Sequence, residues 1–482
     1  MTDNSGKNKN NDKDIRKSSA EKDIKESFET LLEGQRSFFR SGATRPVSFR
    51  VERLKKLRDM ISENENHILA AMKQDLGKNP FEAYLSEIVP VLQEIDFALK
   101  NIDRWTKTEK VKTPLIQFPS SSYIYPEPYG VVLIIGPWNY PFQLLFAPLV
   151  GAVAAGNCAV LKPSQYAPAT TELTARLVKD YLSEDYIAVV SGGDMSRKLL
   201  EEEFDYIFFT GSTKVGRLVM KAAAEHLTPV TLELGGKSPC IVDQSADIGH
   251  AAAKIVWGKF INAGQTCVAP EYVYVHKSVK AELMEAIKNN IKKFYGNDPG
   301  KSPDYGRIIN NKNFRRLISL IERERIFYGG DYSEEELYIG PTIMENITWD
   351  EPVMEEEIFG PLLPVMAYES IEEVIEGVRK FTKPLALYIF TAESEREEKI
   401  IGQLSFGGGC VNDVIMHLLS PNLPFGGVGA SGMGAYHGKR SFDTFTHYKS
   451  ILKNSPKHDF KTLAFPPYKE KLLPVLKKAL RI

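Results

Sequence analysis

The sequence predicts an α/β protein of two domains, each a parallel sheet covered by helices on both faces. Three observations carry this. The length of 482 residues leaves room for two or three domains. From Val131 onward, short continuously apolar runs alternate with amphipathic stretches, the pattern of buried parallel strands and crossover helices. A second series of the same kind follows the pair Gly235–Gly236, which marks the boundary.

Taken in order, residues 1–26 are polar, nearly devoid of apolar side chains, and read as a disordered tail. "ESFETLLEGQRSFFRSG" and the long run from Val47 to Gly77 repeat apolar residues at steps of three and four, which predicts helix. "SSSYIYPEPYG" alternates tyrosine with small polar residues and ends in turn chemistry, as an exposed hairpin would. The first α/β series has the strands "VVLIIG", "CAVLKP", "IAVVSGG", "YIFFTG" and "VTLELGG". "YPFQLLFAPLVGAVAAGN", "ATTELTARLVKDYL" and "STKVGRLVMKAAAEHL" are helices between them. The second series holds "SPCIV", a helix from Ala246 to about Ile261, "EYVYVH", the helix "KAELMEAIKNNIKKFYG" and "PLALYIF". Right-handed crossovers place the strand-to-loop ends of such sheets along one edge, where ligands bind.

Composition excludes several classes of function. With 61 basic and 62 acidic residues the formal charge is -1, so no basic field attracts nucleic acid. Four cysteines without a Cys-x-x-Cys pair or nearby histidines give neither a disulfide framework nor a zinc site, and fit a reducing, cytoplasmic compartment. No apolar stretch reaches the length of a membrane span. The C-terminal "YKEKLLPVLKKALRI" mixes Leu and Val with Lys, so residues 454–482 read as a tail with helical character. Packing on a partner subunit is the expectation for it, and peripheral contact with a membrane surface is the alternative.

Several short stretches can carry chemistry. "FTGSTKVG" lies where a strand gives way to a helix. Gly211 permits close backbone approach, Ser212 can cap, and the first helical turn up to Gly216 offers free N–H groups to a phosphate. It matches neither Gly-x-Gly-x-x-Gly nor the nucleotide-triphosphate loop, so a plain capped helix fits equally well. Lys162 ends a buried strand, within reach of a ribose or phosphate or simply of water. Asn139 in "GPWNYPF" follows a strand directly. It is either an oxyanion donor or a turn asparagine bonded to its own backbone. Glu233 sits in the apolar strand "LELGG", where a carboxylate needs a cation or acts with a raised pKa as a base, unless it points to water. Cys267 in "INAGQTCVAP" stands on a polar loop rather than in an apolar run like Cys158 and Cys240. A nucleophilic thiol would stand on such a loop, but no base lies beside it in sequence, so a small packing cysteine fits equally well. In "EEEIFGP", Glu357 and Phe359 can hold a sugar and stack on a ring, or form a solvated turn.

In this order the pieces "GPWNYPF", "LKPS", "FTGST", "LELGGKSP", "GQTCVAP", "EEIFGP" and "PFGGVGASG" resemble the aldehyde dehydrogenase superfamily from about residue 27 to residue 450. "YGRIINNKNFRRL", "WGKFINAGQTCVAP" and "NDVIMH" are similar to its class-three branch, which includes the fatty-aldehyde enzymes. The resemblance implies two Rossmann-like domains: an NAD(P)-binding domain over 27–114 and 129–235, and a catalytic domain over 236–435. It adds a small β element for bridging and oligomerisation over 115–128 and 436–453. It implies Cys267 as nucleophile, Asn139 and the Cys267 N–H as oxyanion donors, and Glu233 as activator of the hydrolytic water. NAD or NADP would be held by Lys162, Gly211, Ser212, Gly216, Leu234, Glu357 and Phe359. Tyr140, Trp257, Ile415 and His417 would line the pocket of an aliphatic or aromatic aldehyde, and the subunits would pair as a homodimer. The family often has Glu three residues after the lysine, whereas this chain has Gln165, which removes a charge that repels a 2′-phosphate. A coenzyme A-acylating enzyme and a non-catalytic, crystallin-like or scaffolding protein are the alternatives. The presence of Glu233, Cys267 and Asn139 counts against both.

Overall fold

The computed structural model of the chain describes residues 24–114, 117–455 and 465–479. The tail expected over 1–26 lies outside them up to residue 23. Residues 24–26 instead open a helix, α1 (24–40), anchored by the burial of Phe28 and Leu32. The run expected to be helical from Val47 to Gly77 is two helices, α2 (Val47–Glu63) and α3 (Glu65–Leu76). Asn64 divides them, its side-chain amide donating to Met60 O at 2.9 Å in competition with the helical ladder. The same layer continues through α4 (Pro80–Ala83), a π-helical turn at Tyr84–Ile88 and α5 (Val89–Trp105). Pro80 and Pro90 punctuate this stretch but occupy first turns, where a missing N–H costs no helical bond.

A three-stranded antiparallel sheet holds β1 (Glu109–Val111) and β2 (Ser121–Pro128), with β2 at its centre. The expected hairpin over this stretch is therefore one strand. The turn chemistry of "PEPYG" links β2 onward to the next sheet instead of folding it back. β1 also shows that the bridging element begins before residue 115.

The first α/β unit has β3 (Val131–Ile135), β4 (Cys158–Lys162), β5 (Ile187–Val189), β6 (Tyr206–Thr210) and β7 (Val230–Glu233), parallel in the order β7-β6-β3-β4-β5. Helices α6 (Gln143–Ala155), α7 (Pro168–Tyr181), α8 (Met195–Leu199) and α9 (Thr213–Glu225) connect them. Every residue of α6 is buried, which explains its apolar character all round. The chain leaves β3 toward β4 on one side and returns as β6 on the other. The loops after β3 and β6 therefore diverge and open a crevice.

The second unit has β8 (Pro239–Val242) and β9 (Tyr272–His276), with α10 (Ile248–Phe260) between them and α11 (Lys280–Tyr295) after. Its later strands are β10 (Ile326–Tyr328), β13 (Thr342–Met344), β14 (Leu362–Tyr368), β15 (Ala386–Phe390) and β16 (Gly408–Val411). β11 (Tyr332–Ser333) and β12 (Tyr338–Ile339) form a separate small pair. The sheet order is β10-β13-β14-β9-β8-β15-β16, parallel except for β10.

Two late strands cross back. β17 (Gly432–Met433) pairs antiparallel with β7, setting Gly432 opposite Glu233, so the stretch to residue 435 does not belong wholly to the second unit. β18 (Thr446–Lys453) runs along the whole of β2. Among the described residues no helix is long and apolar enough to cross a membrane. The C-terminal tail is helical over Leu473–Ala479, with Leu473 and Val475 exposed.

Candidate active site

Residues from both α/β units line one cavity of about 230 Å³, among them Asn139, Gly211, Ser212, Glu233, Leu234, Cys267, Glu357 and Phe359. Pro137, Trp138, Leu144, Thr210, Gly235 and Asn313 complete its wall. The first sheet delivers its share at strand ends: Asn139 after β3, Thr210 closing β6, and Glu233 closing β7.

Cys267 arrives on a bend built residue by residue. After α10 the chain makes a tight turn in which Asn262 (φ 53°) and Ala263 (φ 51°) are left-handed, a strained state for residues with side chains. Gly264 follows at φ 75°, packed so closely on the backbone of Gly360 that no Cβ fits. Gln265 locks the bend, donating to Asn262 O at 3.0 Å and Arg307 O at 2.9 Å and accepting from Ile309 N at 3.0 Å. The Thr266 hydroxyl meets the Tyr140 hydroxyl at 2.7 Å. The Cys267 thiol remains partly open to the cavity. The apolar walls and the nearby carboxyls of Glu357 and Glu233 push its pKa up to about 12. Its own amide N–H and that of Val268 pull the other way. The resting group is a thiol aimed at by two donors that favour the anion.

Asn139 is buried. Its side-chain amide donates one N–H to Gln265 O at 3.1 Å, which ties it to the thiol-bearing bend and leaves the second N–H for a guest in the cavity. Glu233 is buried at 3 % exposure with neither carboxylate oxygen hydrogen-bonded, and burial raises its pKa well above the usual range. Of the readings open from sequence, water exposure and cation pairing both fail, since no ion pair reaches it among the described residues.

The remaining lining forms a cradle of small and polar residues around the start of α9. The Thr210 hydroxyl is buried without a partner at the cavity wall. Gly211 has space only for hydrogen, with the Phe209 ring 2.6 Å from where a Cβ would stand. Ser212 caps α9, accepting from Val215 N at 3.4 Å, and Gly216 packs under Leu234. A side chain at Gly235 would collide with the Glu357 carboxylate. Glu357 accepts from Gly236 N at 3.3 Å, and its pKa is raised to about 8, first by burial and then by Glu271. Phe359, left-handed at φ 50°, meets Trp138 edge-on at 5.3 Å. Lys162 lies outside the cavity wall, buried at the end of β4 and bonded to Pro163 O at 2.7 Å, with its pKa lowered to about 8 by burial. Gln165 is exposed and rests against Gly193.

The four residues expected around the substrate do not border this cavity. Tyr140 backs it through Thr266. Ile415 packs over Gly258, next to Trp257. The His417 ring is 6.1 Å from Tyr388, whose hydroxyl donates to Val268 O at 2.6 Å, which links His417 to the thiol loop through that tyrosine. Burial lowers the His417 pKa to about 4, which keeps the imidazole neutral.

Buried charges supply what the motifs did not show. Glu271 accepts from Ile358 N at 2.5 Å and Phe359 N at 3.2 Å and is flanked by Lys237 at 3.5 Å and Lys259 at 3.8 Å, which fixes the turn bearing Glu357 and Phe359. Lys78 and Glu87 pair at 2.6 Å beneath Asn139. Their partners are distant in sequence, so no local pattern marks them. Among the described residues no group of three or more His, Cys, Asp and Glu side chains is placed to hold a metal ion.

Comparison with known proteins meets this geometry directly: the Aldehyde dehydrogenase family pattern matches residues 13–451. The chain belongs to the aldehyde dehydrogenase family. It is 51% identical over 439 residues to 4,4'-diaponeurosporen-aldehyde dehydrogenase of Staphylococcus aureus, covering 90% of this chain and 95% of that protein. It is 46% identical to the mouse "Aldehyde dehydrogenase, dimeric NADP-preferring" (92% and 99% covered) and 47% identical to rat "Aldehyde dehydrogenase family 3 member A2" (92% of each). These relatives put the enzyme in the class-three branch. Its fold superposes on the substrate-bound state of Staphylococcus aureus AldH with a TM-score of 0.92 at 49% identity, over 94% of this chain and 99% of that one.

Proposed function

We propose that this enzyme oxidises an apolar aldehyde to the carboxylic acid with NAD or NADP, through a thioester on Cys267 that Glu233-activated water hydrolyses. The observation that carries the reading is that one cavity gathers a thiol, a side-chain amide with a free N–H, and a carboxyl group with no hydrogen bond of its own. The Cys267 thiol gives its proton to solvent water, and its sulfur bonds to the carbonyl carbon as the C=O π pair moves to oxygen. Asn139 Nδ2 and the Cys267 N–H then donate to that oxyanion. When bound, the nicotinamide supplies the hydride acceptor for the oxidation. Cys267 is left acylated. Glu233, once ionised, takes a proton from water, the hydroxide adds to the acyl carbon, and the C–S bond breaks to release the acid and the thiolate.

The cradle fits a nicotinamide dinucleotide. The α9 N-terminus and Gly211 suit a pyrophosphate, Lys162 and Glu357 suit ribose hydroxyls, and Phe359 and Leu234 offer apolar faces. Apolar substrate is supported by Leu144, Trp138 and Phe359 in the cavity wall. Pairing into a cytoplasmic dimer is supported by a relative named as dimeric, by exposed Val215, Leu218 and Met220 on α9, and by four free cysteines. Light scattering during size-exclusion chromatography would test the pairing, and a monomer would refute it.

The test of the reaction is product analysis with aliphatic aldehydes of increasing chain length and with benzaldehyde. The free acid is expected, with a yield independent of added coenzyme A; an acyl-coenzyme A product would overturn the hydrolytic step. The residue at 165 bears on cofactor choice. Gln165→Glu is expected to lower activity with NADP relative to NAD on the order of tenfold to a hundredfold, the scale of one like-charge contact. An unchanged ratio of initial rates with the two cofactors would remove Gln165 from the account.

A further inference from the structure

We infer that Lys78, with Glu87, is the positioning device of the oxyanion site; the inference rests on the role proposed above for Asn139. Lys78 is wholly buried and comes from the helical layer, 61 residues before the loop it serves. Its ammonium makes three contacts, all on that loop or its support. It donates to Asn139 O at 3.1 Å, lies 3.9 Å from the centre of the Tyr140 ring, and pairs with Glu87 Oε1 at 2.6 Å. The second Glu87 oxygen accepts from Phe142 N at 3.2 Å and Gln143 N at 3.0 Å, so the same carboxylate caps the start of α6. One ion pair thus holds the chain from Asn139 to Gln143 at both ends.

The arrangement extends to the thiol. Asn262 Nδ2 donates to Asn139 O at 2.8 Å and to Gln265 O at 3.1 Å, the carbonyl that also receives the Asn139 side chain. Glu82, one turn before Glu87, accepts from Asn262 N at 3.0 Å. The π-helical turn at Tyr84–Ile88 sets the spacing between these two carboxylates, and such turns recur at functional sites. Asn139 O is therefore shared by Lys78 and Asn262, one from each side of the oxyanion pair. Glu87 neutralises Lys78, so the cation contributes aim rather than net charge. A fixed donor is worth most when it needs no reorganisation as the oxyanion forms.

The decisive experiment is a double-mutant cycle on the first-turnover burst of reduced nicotinamide, with NAD and a simple aliphatic aldehyde. Lys78→Met leaves a buried carboxylate unpaired and can fail to fold, so the cycle is run in parallel with Lys78→Met/Glu87→Leu, an apolar replacement of the pair that such sites commonly tolerate. The burst rate is expected to fall about tenfold to a hundredfold in either variant, with the KM of the double variant near that of the parent and its thermal midpoint lowered by the lost cap on α6. Asn139→Ala alone is expected to slow the burst about a hundredfold to a thousandfold. Combined with it, loss of Lys78 is expected to add less than about threefold, because the two act as one unit. A folded double variant with the parental burst rate, or effects that multiply in the combined variant, would overturn the inference. An Asn139→Ala enzyme with an unchanged burst would instead overturn the oxyanion assignment, and this inference with it.

Discussion

Cys267→Ser is expected to lower aldehyde-dependent reduction of NAD by on the order of ten-thousandfold or more, the scale of losing a covalent nucleophile. The reason lies in the bend that presents the thiol. Gln265 and the left-handed pair Asn262–Ala263 fix where the side chain stands, and the amide N–H groups of Cys267 and Val268 face its sulfur. A hydroxyl in that place keeps the geometry but gives up the softer nucleophile and the thioester. Cys267 is only partly buried, so the substitution is expected to leave the fold and the thermal midpoint nearly unchanged. Initial rates measure the loss of turnover, thermal denaturation measures the midpoint, and mass spectrometry of quenched enzyme detects the acyl intermediate. The parent is expected to carry an added acyl mass during turnover, the variant none. Turnover surviving the substitution would end the covalent mechanism.

Glu233→Gln is expected to separate the two halves of the reaction. The first-turnover burst of reduced nicotinamide persists, while steady-state turnover falls about a hundredfold to ten-thousandfold and the acyl-enzyme accumulates. The parent enzyme's turnover is expected to rise with pH through the neutral and alkaline range, because burial holds Glu233 protonated and only its ionised form accepts a proton from water. The Gln variant is expected to lack that rise.

Stability moves the opposite way. The native state keeps a proton on Glu233 that the unfolded chain gives up once pH exceeds the ordinary carboxyl range. Above that range this group therefore destabilises the fold, increasingly so until its own raised pKa is passed. Replacement by glutamine removes that penalty, and a midpoint about 1–3 °C higher at neutral pH is expected. A variant that melts no higher than the parent at neutral pH would mean that water or a cation stabilises the carboxylate. Equal loss of burst and steady-state rates would place Glu233 in the first half-reaction instead.

What the sequence made legible is the part written in short-range chemistry. Asn139, Thr210–Gly211 and Glu233 sit at strand ends, and apolar runs broken by glycine announce strand ends. Cys267 was visible because it stands on polar residues where an apolar run would hide a structural cysteine. The helical layer under the site was opaque for the opposite reason. Lys78 and Glu87 look like ordinary surface charges until distant segments bury them, and Pro80 and Pro90 break up a pattern that the folded helices tolerate. From sequence β2 reads as a hairpin because its alternation is real while its partner, β18, lies at the far end of the chain. Trp257, Ile415 and His417 come from the resemblance alone, and they stand outside the wall of the cavity around Cys267.

The return of β17 to β7 has a consequence for how the enzyme is made. β7 ends at Glu233, and the strand that covers its outer edge begins at Gly432. A ribosome adding about 5–20 residues per second needs about 10–40 s to make the intervening chain. Throughout that interval a nascent chain with its first sheet already formed exposes the unpaired edge of the strand bearing Glu233, the kind of edge that recruits other chains. Chains released before Gly432 keep that edge permanently. Termination ahead of Gly432 is therefore expected to yield not a partly active enzyme but an inactive, aggregation-prone product.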